Sequence, residues 1–426
     1  MKISEIKIAL QNGALDRYSD IYADVRRESC RIAELLDRFA EHYGDREVCV
    51  FSVPGRSEIL GNHTDHNNGV VLAGAIDRDI IAIAAKNDDG AIRFISEGYS
   101  PDMIEISKCG NPDNFVKYTS GALIAGMVDG FSKNGYAVGG YDVYSNSEVL
   151  KGSGISSSAA YEVMIGNIMN HLYNDGSIDN KEIAKLSQYA ENVYFGKPSG
   201  LMDQMACAVG GFVYIDFENV GEAIVQPIAF SLKDHGYSLV IINTGGNHAD
   251  LNDDYAAVPG EMKGVATILG NNVLRGFTED DIIDHIPEIR NSLGDRAVLR
   301  AMHFIRENER VNFARNALEN GDIDRFLDFV NKSGESSFKY LQNVYTTQNV
   351  KEQGLSLALA IADGYLSTRQ GACRVHGGGF AGTVQVFVKN EDLEGLVSLM
   401  SRVFGDGAVM TLNIRPLGAV KLELDK

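Results

Sequence analysis

The stretch from Lys151 to Val163, KGSGISSSAAYEV, leaves this chain few ways to fold around it. Two spaced glycines and three consecutive serines describe a loop, and the pattern of Val163, Ile168 and Leu172 carries that loop into a helix. Tyr141 to Tyr144, just before it, alternates like a strand. A strand, a Gly-Ser loop and a helix in succession form the context in which phosphate is held. Gly152 and Gly154 permit backbone conformations closed to other residues and let a ligand approach closely. The free N–H groups of the first helical turn, together with the helix dipole, favour an anion. The serine hydroxyls add donors, and one can turn an oxygen toward a metal ion. The plainer alternative is a Ser-capped helix behind a glycine turn, with no ligand at all.

Size and charge narrow the ligand. A chain of 426 residues has room for about two or three domains at ~150 residues each, and a hydrophobic content of 44% is ordinary for a globular protein. The formal net charge of -19, from 39 Lys and Arg against 58 Asp and Glu, repels nucleic acid and anionic membrane surfaces. A polyanionic nucleotide must therefore be met by local donors and a divalent cation. Cys30, Cys49, Cys109, Cys207 and Cys373 lie far apart without a C-x-x-C pair, which suggests neither a disulfide framework nor a zinc site. The N-terminal MKISEIKIALQNG lacks a long apolar signal core, and the most apolar stretch is broken by Asp77, Arg78 and Asp79. A cytoplasmic protein with small-molecule ligands is expected, with no membrane or protein partner implied.

Two further polar segments flank the loop. Val48 to Val53 reads as a strand that delivers the chain into PGRSEILGNHTDHNNG, where Pro54, Gly55, Gly61, Asn67, Asn68 and Gly69 give loop chemistry. Arg56, Glu58, His63, Asp65 and His66 are dense enough there to suggest a binding loop, a solvated turn being the alternative. A metal reading of His63 to His66 lacks a distant ligand cluster to complete it. After a helix over Asn180 to Tyr194, the segment FGKPSGLMDQMA places Asp203 just past a Pro and a Gly, as an active-site carboxylate or as a helix cap. The charged stretch near Lys233 predicts the domain change, giving domains 1–232 and 233–426. Beyond it come amphipathic helices, with Phe304, Val311, Phe313, Ala317, Phe326, Phe329 and Val330 as core. Late in the chain, ACRVHGGGFAGTVQVFV sets three glycines between two strands. Gly377 to Gly382 match G-x-G-x-x-G, but TVQVFV alternates like a strand where a dinucleotide fingerprint must open a helix.

GR-x-x-x-x-G-x-HTD, GSGISSSAA and GGGFAG, in that order, resemble the GHMP family of small-molecule kinases, and the first segment is similar to the galactokinase signature. RFAEHYG, FVKYTSGAL, AENVYFGKPSGLMDQ and the Tyr of DDYAAV extend the likeness through nearly the whole chain. The resemblance implies an α+β, two-domain GHMP kinase fold. An N-terminal domain like domain 2 of ribosomal protein S5 and a ferredoxin-like C-terminal domain would have the active site in the cleft between them. It also implies roles. Gly152, Ser153, Gly154, Ile155, Ser156, Ser157, Ser158 and Ala159 would wrap ATP, with Ser158 and Glu191 holding Mg²⁺. Asp203 and Arg56 would be the catalytic pair, and His63, Asp65, Asn62, Gly200 and Tyr255 would meet the sugar. The expected reaction is transfer of the γ-phosphoryl group to the anomeric hydroxyl of a hexose, D-galactose first.

This chain departs from the signature at three places. Asn62 stands where galactokinases carry a glutamate near the sugar's C6 hydroxyl, Ser57-Glu58 where they usually carry Val-Asn, and His66 where they carry Tyr. An uncharged amide at 62 opens a second reading, a kinase for a sugar such as galacturonate. A sugar- and ATP-binding sensor without turnover is a third, which the intact serine loop, Glu191, Arg56 and Asp203 argue against.

Overall fold

The computed structural model describes residues 1–149, 154–197, 199–219, 222–246 and 251–425. They form two units that interleave in sequence. Unit 1 comprises Met1–Arg56, Ala75–Gly211 and Arg415–Lys426, and unit 2 comprises Ser57–Gly74 and Phe212–Ile414. The sequence reading, a single change after residue 232, thus meets a division at Phe212 with an early excursion at Ser57–Gly74. The partners of that excursion explain it. Glu58 pairs with Arg374, and the Gly61 N–H donates to Glu307, both far downstream in unit 2.

Unit 1 opens with α1 (Ile3–Gln11) and α2 (Val25–Tyr43). Asp24 caps α2 through the Arg27 N–H, and the chain leaves it at Gly44, whose φ of 81° suits glycine. Ile32, Leu35, Leu36 and Phe39, spaced for one helical face, are all buried against Val50, Ile81 and Ile83. Next come β1 (Cys49–Leu60), β2 (Val70–Lys86), β3 (Ala91–Ser96) and β4 (Asp102–Glu105). They are followed by α3 (Ser120–Lys133), β5 (Tyr141–Ser147), α4 (Ser157–Tyr173), α5 (Asn180–Tyr189) and α6 (Met202–Val209). In the sheet, β5 pairs antiparallel with Ile80–Lys86 of β2 and parallel with β3. The helix α4 is buried on nearly every side and packs against α3, α5 and α6. Gly166, on α4, lies so close to Ile183 of α5 that a Cβ would sit 2.6 Å from it.

β1 runs on where the sequence suggests a loop. Pro54, Gly55 and Arg56 are inside the strand and buried. Their polarity marked interior ion pairs, not solvent, because Arg56 and Glu58 each have a partner far away in sequence.

Unit 2 contains β6 (Phe212–Asp216), β7 (Ile224–Ile228), β8 (Tyr237–Asn243) and a run of helices: α7 (Asn252–Ile268), α8 (Glu279–Asp284), α9 (Ile286–Leu293), α10 (Asp295–Glu319), α11 (Ile323–Ser336) and α12 (Gly354–Leu366). It ends with β9 (Gly371–His376), β10 (Thr383–Lys389), α13 (Leu393–Phe404) and β11 (Val409–Leu412), after which β12 (Val420–Leu422) pairs with β1 in unit 1. β6 joins Val70–Gly74 of β2 and β7 antiparallel. The antiparallel sheet β11-β8-β10-β9 buries Val240, Ile242, Val375, Val384 and Val386 under α12 and α13. Each such buried aliphatic contributes about 1.5–3 kcal/mol against leaving it exposed. The late glycines sit in the β9–β10 hairpin and open no helix. One predicted core residue is not buried: Phe313 is half exposed and stacks on Phe329 at 5.7 Å instead. No helix among the described residues is long and apolar enough to cross a membrane.

Candidate active site

In unit 1 the close approach of β1 to the serine loop begins at the backbone. The Arg56 N–H donates to the Ile155 carbonyl at 3.1 Å, and the Arg56 Nη1 donates to the Gly154 carbonyl at 2.7 Å. Only a glycine fits at 55, since a Cβ there would lie 2.6 Å from the Ile155 oxygen. Gly154, Ile155, Ser156, Ser157, Ser158 and Ala159 are the described part of the predicted phosphate loop, while Gly152 and Ser153 lie outside the described residues. α4 begins at Ser157 as the Gly-Ser pattern predicts, and Ser156 precedes it with φ 59°. Ser156 makes no cap bond to the helix; its hydroxyl goes to Asp203.

Asp203 is not a cap either, for the residue flanking α6 is Leu201 and makes no side-chain cap bond. Its carboxylate accepts from Arg56 Nε at 2.7 Å and from Ser156 Oγ at 2.5 Å. Burial by itself would raise this carboxyl. Arg56, the Ser156 hydrogen bond and Lys197 together outweigh it and hold Asp203 below the usual carboxylate range. The result is an ionised carboxylate, partly accessible, beside a buried guanidinium.

The predicted metal ligands also meet. Ser158 Oγ lies 3.4 Å from Glu191 Oε1, a spacing that one hard ion with oxygen distances of about 2.1 Å can span. Glu191 sits in a π-helical turn, Ala190–Phe195, of a kind frequent at functional sites. Its carboxylate holds the Lys197 ammonium at 3.0 Å and the Gln204 amide at 2.7 Å, and Gln204 reaches on to the buried Glu162 at 3.1 Å. Burial first, then the nearby Glu191, raise the Glu162 carboxyl well above the ordinary value. Lys197, Gln204 and Glu162 escaped the sequence reading. Lys197 and Gln204 lie within FGKPSGLMDQ, and Glu162 was visible as a lone charge on an otherwise apolar helix. Gly200 precedes α6 in the same unit.

In unit 2 the turn between β1 and β2 carries the other predicted contacts. His63 has φ 59°, a left-handed conformation uncommon for such a residue and concentrated at functional sites. Thr64 Oγ1 donates to the Gly61 and Val70 carbonyls, and Glu307, deep in the interior, accepts the Gly61 N–H at 3.1 Å. His63 Nε2 donates to the Gly378 carbonyl at 2.8 Å, and the Tyr255 hydroxyl donates to the Gly379 carbonyl at 2.8 Å. Asp65 is half-buried, and its Oδ1 accepts the His66 N–H at 3.0 Å. Asn62 is fully buried. Among the described residues no group of three or more His, Cys, Asp or Glu is placed to hold a metal ion.

Two histidines of this unit, the half-buried His63 and the buried His303, are expected to make folding sensitive to mild acid. Burial drives His63 down to about 4 and lowers His303, in each case against smaller opposing contributions. An unfolded histidine titrates near ~6.5. The stability that neutral His63 and His303 contribute is therefore complete above that pH and is lost as pH falls toward the folded value. Asp203 and Glu307, both depressed carboxylates, enter only below ~4.3. Glu162, raised by its burial, works the other way over the same window, so it is in Glu162→Gln that urea midpoints should fall between about pH 7 and about pH 5. A flat profile across that window contradicts the assignment.

Comparison with known proteins draws these two sets of residues into one family. Residues 37–86 match the galactokinase galactose-binding signature, and residues 122–211 match the GHMP kinases N terminal domain. A galactokinase from Streptomyces coelicolor is 30% identical over 377 residues, 86% of this chain and 92% of that protein. One from Enterococcus faecalis is 27% identical over 87% of this chain and 94% of its own length. Among solved structures, Lactococcus lactis galactokinase complexed with galactose matches with a TM-score of 0.77 at 22% identity, covering 92% of this chain and all of that one. Methanococcus jannaschii mevalonate kinase matches at 0.59 and 14% identity, covering 86% of this chain and 98% of its own. At those identities the two structures establish the shared α+β fold.

Proposed function

The chain belongs to the galactokinase family of GHMP sugar kinases, and on that premise we propose that it transfers the γ-phosphoryl group of ATP to the anomeric hydroxyl of D-galactose, giving galactose 1-phosphate. The observation that carries the proposal is the Arg56–Asp203–Ser156 constellation at the mouth of the serine loop. Asp203 accepts a hydrogen bond from the anomeric hydroxyl and aligns its oxygen with the phosphorus. Because Arg56, with Ser156 and Lys197, holds its carboxyl low, Asp203 is a weak base, suited to taking the proton late, as the new P–O bond forms. That suits a loose phosphoryl-transfer transition state, in which the nucleophile needs orientation more than prior deprotonation. Arg56 keeps the carboxylate ionised and offsets charge developing on the transferred group. The serine loop binds the nucleotide phosphates. Ser158 and Glu191 would hold Mg²⁺, which supplies charge neutralisation on the phosphate oxygens when bound. Lys197 pairs with the Glu191 carboxylate at 3.0 Å.

The galacturonate reading rests on Asn62, whose amide is already engaged inside unit 2. A panel of hexoses scored for ADP release with ATP and Mg²⁺ tests the proposal. Galactose is expected to give the highest kcat/KM, above galacturonate and 6-deoxygalactose. Turnover of another sugar with silence on galactose sinks it.

A further inference from the structure

In unit 2, the polar atoms of several side chains converge on one short loop. Gly377 and Gly379 hold left-handed backbone at φ 69° and 82°, and Phe380 follows at 60°. Such a run persists only where its surroundings fix it. Here they take its three consecutive carbonyls in turn. Gly377 O accepts from Asn62 Nδ2 at 2.7 Å, Gly378 O from His63 Nε2 at 2.8 Å and Asn343 Nδ2 at 3.1 Å, and Gly379 O from the Tyr255 hydroxyl at 2.8 Å.

Asn62 has nothing left over. A primary amide has two N–H donors and one oxygen with two lone pairs. Its second donor goes to Glu58 Oε1 at 3.0 Å, and its oxygen accepts from Asn343 Nδ2 at 2.7 Å and Ser337 Oγ at 3.4 Å. The side chain has no exposed surface, and even its main-chain carbonyl is taken by His303 Nε2 at 3.0 Å. A glutamate at this position would present only oxygens to the Glu58 carboxylate and the Gly377 carbonyl, turning two hydrogen bonds into two repulsions. Position 62 needs N–H groups because of what occupies 58 and 377.

We propose that Asn62 and Asn343 form a positioning pair that fixes the Gly377–Gly379 loop, and that Asn62 does not read the C6 substituent of the acceptor. The two departures from the family signature at 58 and 62 are then the two ends of one hydrogen bond, exchanged between acid and amide together. The kinetic arm of the test rests on the galactose kinase reading, and the exchange arm does not.

Amide hydrogen exchange of the peptide spanning residues 376–382, measured without sugar, should quicken by at least ~10-fold in Asn62→Ala and in Asn343→Ala, the scale of one lost buried hydrogen bond. Unchanged protection in both overturns the clamp. In the same Asn62→Ala protein, kcat with galactose should fall while the kcat/KM ratio of galactose to 6-deoxygalactose stays within about twofold of wild type. A tenfold collapse of that ratio assigns Asn62 to the C6 oxygen and overturns the proposal. Asn62→Glu should lower the melting temperature, and Glu58→Asn added to it should restore part of the loss; no restoration counts against the exchange. If wild type fails to turn over galactose, that fault belongs to the substrate reading, and the exchange and melting results still decide the clamp.

Discussion

Replacing Asp203 with alanine lowers turnover with galactose by at least ~10²-fold, the low end of what a positioned acid-base group contributes. The expectation follows from what surrounds the carboxylate. Asp203 is kept ionised against its own burial by Arg56, Ser156 and Lys197, so its oxygens are always free of a proton and able to accept the hydrogen bond of the acceptor hydroxyl and orient it. Asp203→Asn sharpens the case, since the amide oxygen can still accept from Arg56 and the shape is preserved, yet it cannot take the proton. Both variants should lose rate at the level of kcat, with folding checked by thermal melting. A rate within about threefold of wild type in Asp203→Ala removes Asp203 from the mechanism, and the same result in Asp203→Asn alone removes its proton acceptance and leaves orientation.

Arg56→Met costs about 10²–10³-fold in kcat, the usual scale for one preorganised donor at developing charge. Its second signature is in the pH profile. With the guanidinium gone, burial, the largest single influence on Asp203, acts with only Ser156 and Lys197 to oppose it, so the carboxyl rises. The acid limb of kcat/KM must then move to higher pH. Arg56→Lys keeps a charge but loses the fork that spans Asp203 and the Gly154 carbonyl, and falls between the two. An acid limb that stays in place while the rate drops would mean that Arg56 acts on the phosphates alone.

How much of this is readable from the chain depends on whether a residue's partner is near it in sequence. The helix beginning at Ser157, α2 with its apolar face, and the strands on either side of Gly377–Gly379 are legible because spacing and turn residues fix them locally. The structure also places Ser158 beside Glu191 and Arg56 beside Asp203, residues the motifs single out. The failures share a cause. Pro54-Gly55-Arg56 reads as a loop because a charge without a visible partner looks solvated, and the partner of Arg56 lies 147 residues on. Phe313 follows the helical period of its neighbours and is still exposed, since the period sets a face only to within a residue. Asn62 looks like a specificity determinant because four of its partners, at 303, 337, 343 and 377, are invisible beside it. Glu162 and Gln204 are missed for the same reason. They form one chain with Glu191 that no single segment contains.

The most direct test of the central claim is proton-coupled phosphorus NMR of wild-type protein incubated with ATP, Mg²⁺ and galactose. The account predicts a new monoester signal coupled to the anomeric proton, growing as the γ-phosphate of ATP disappears. Intact ATP, or a phosphate coupled to a proton on any other carbon, would contradict it.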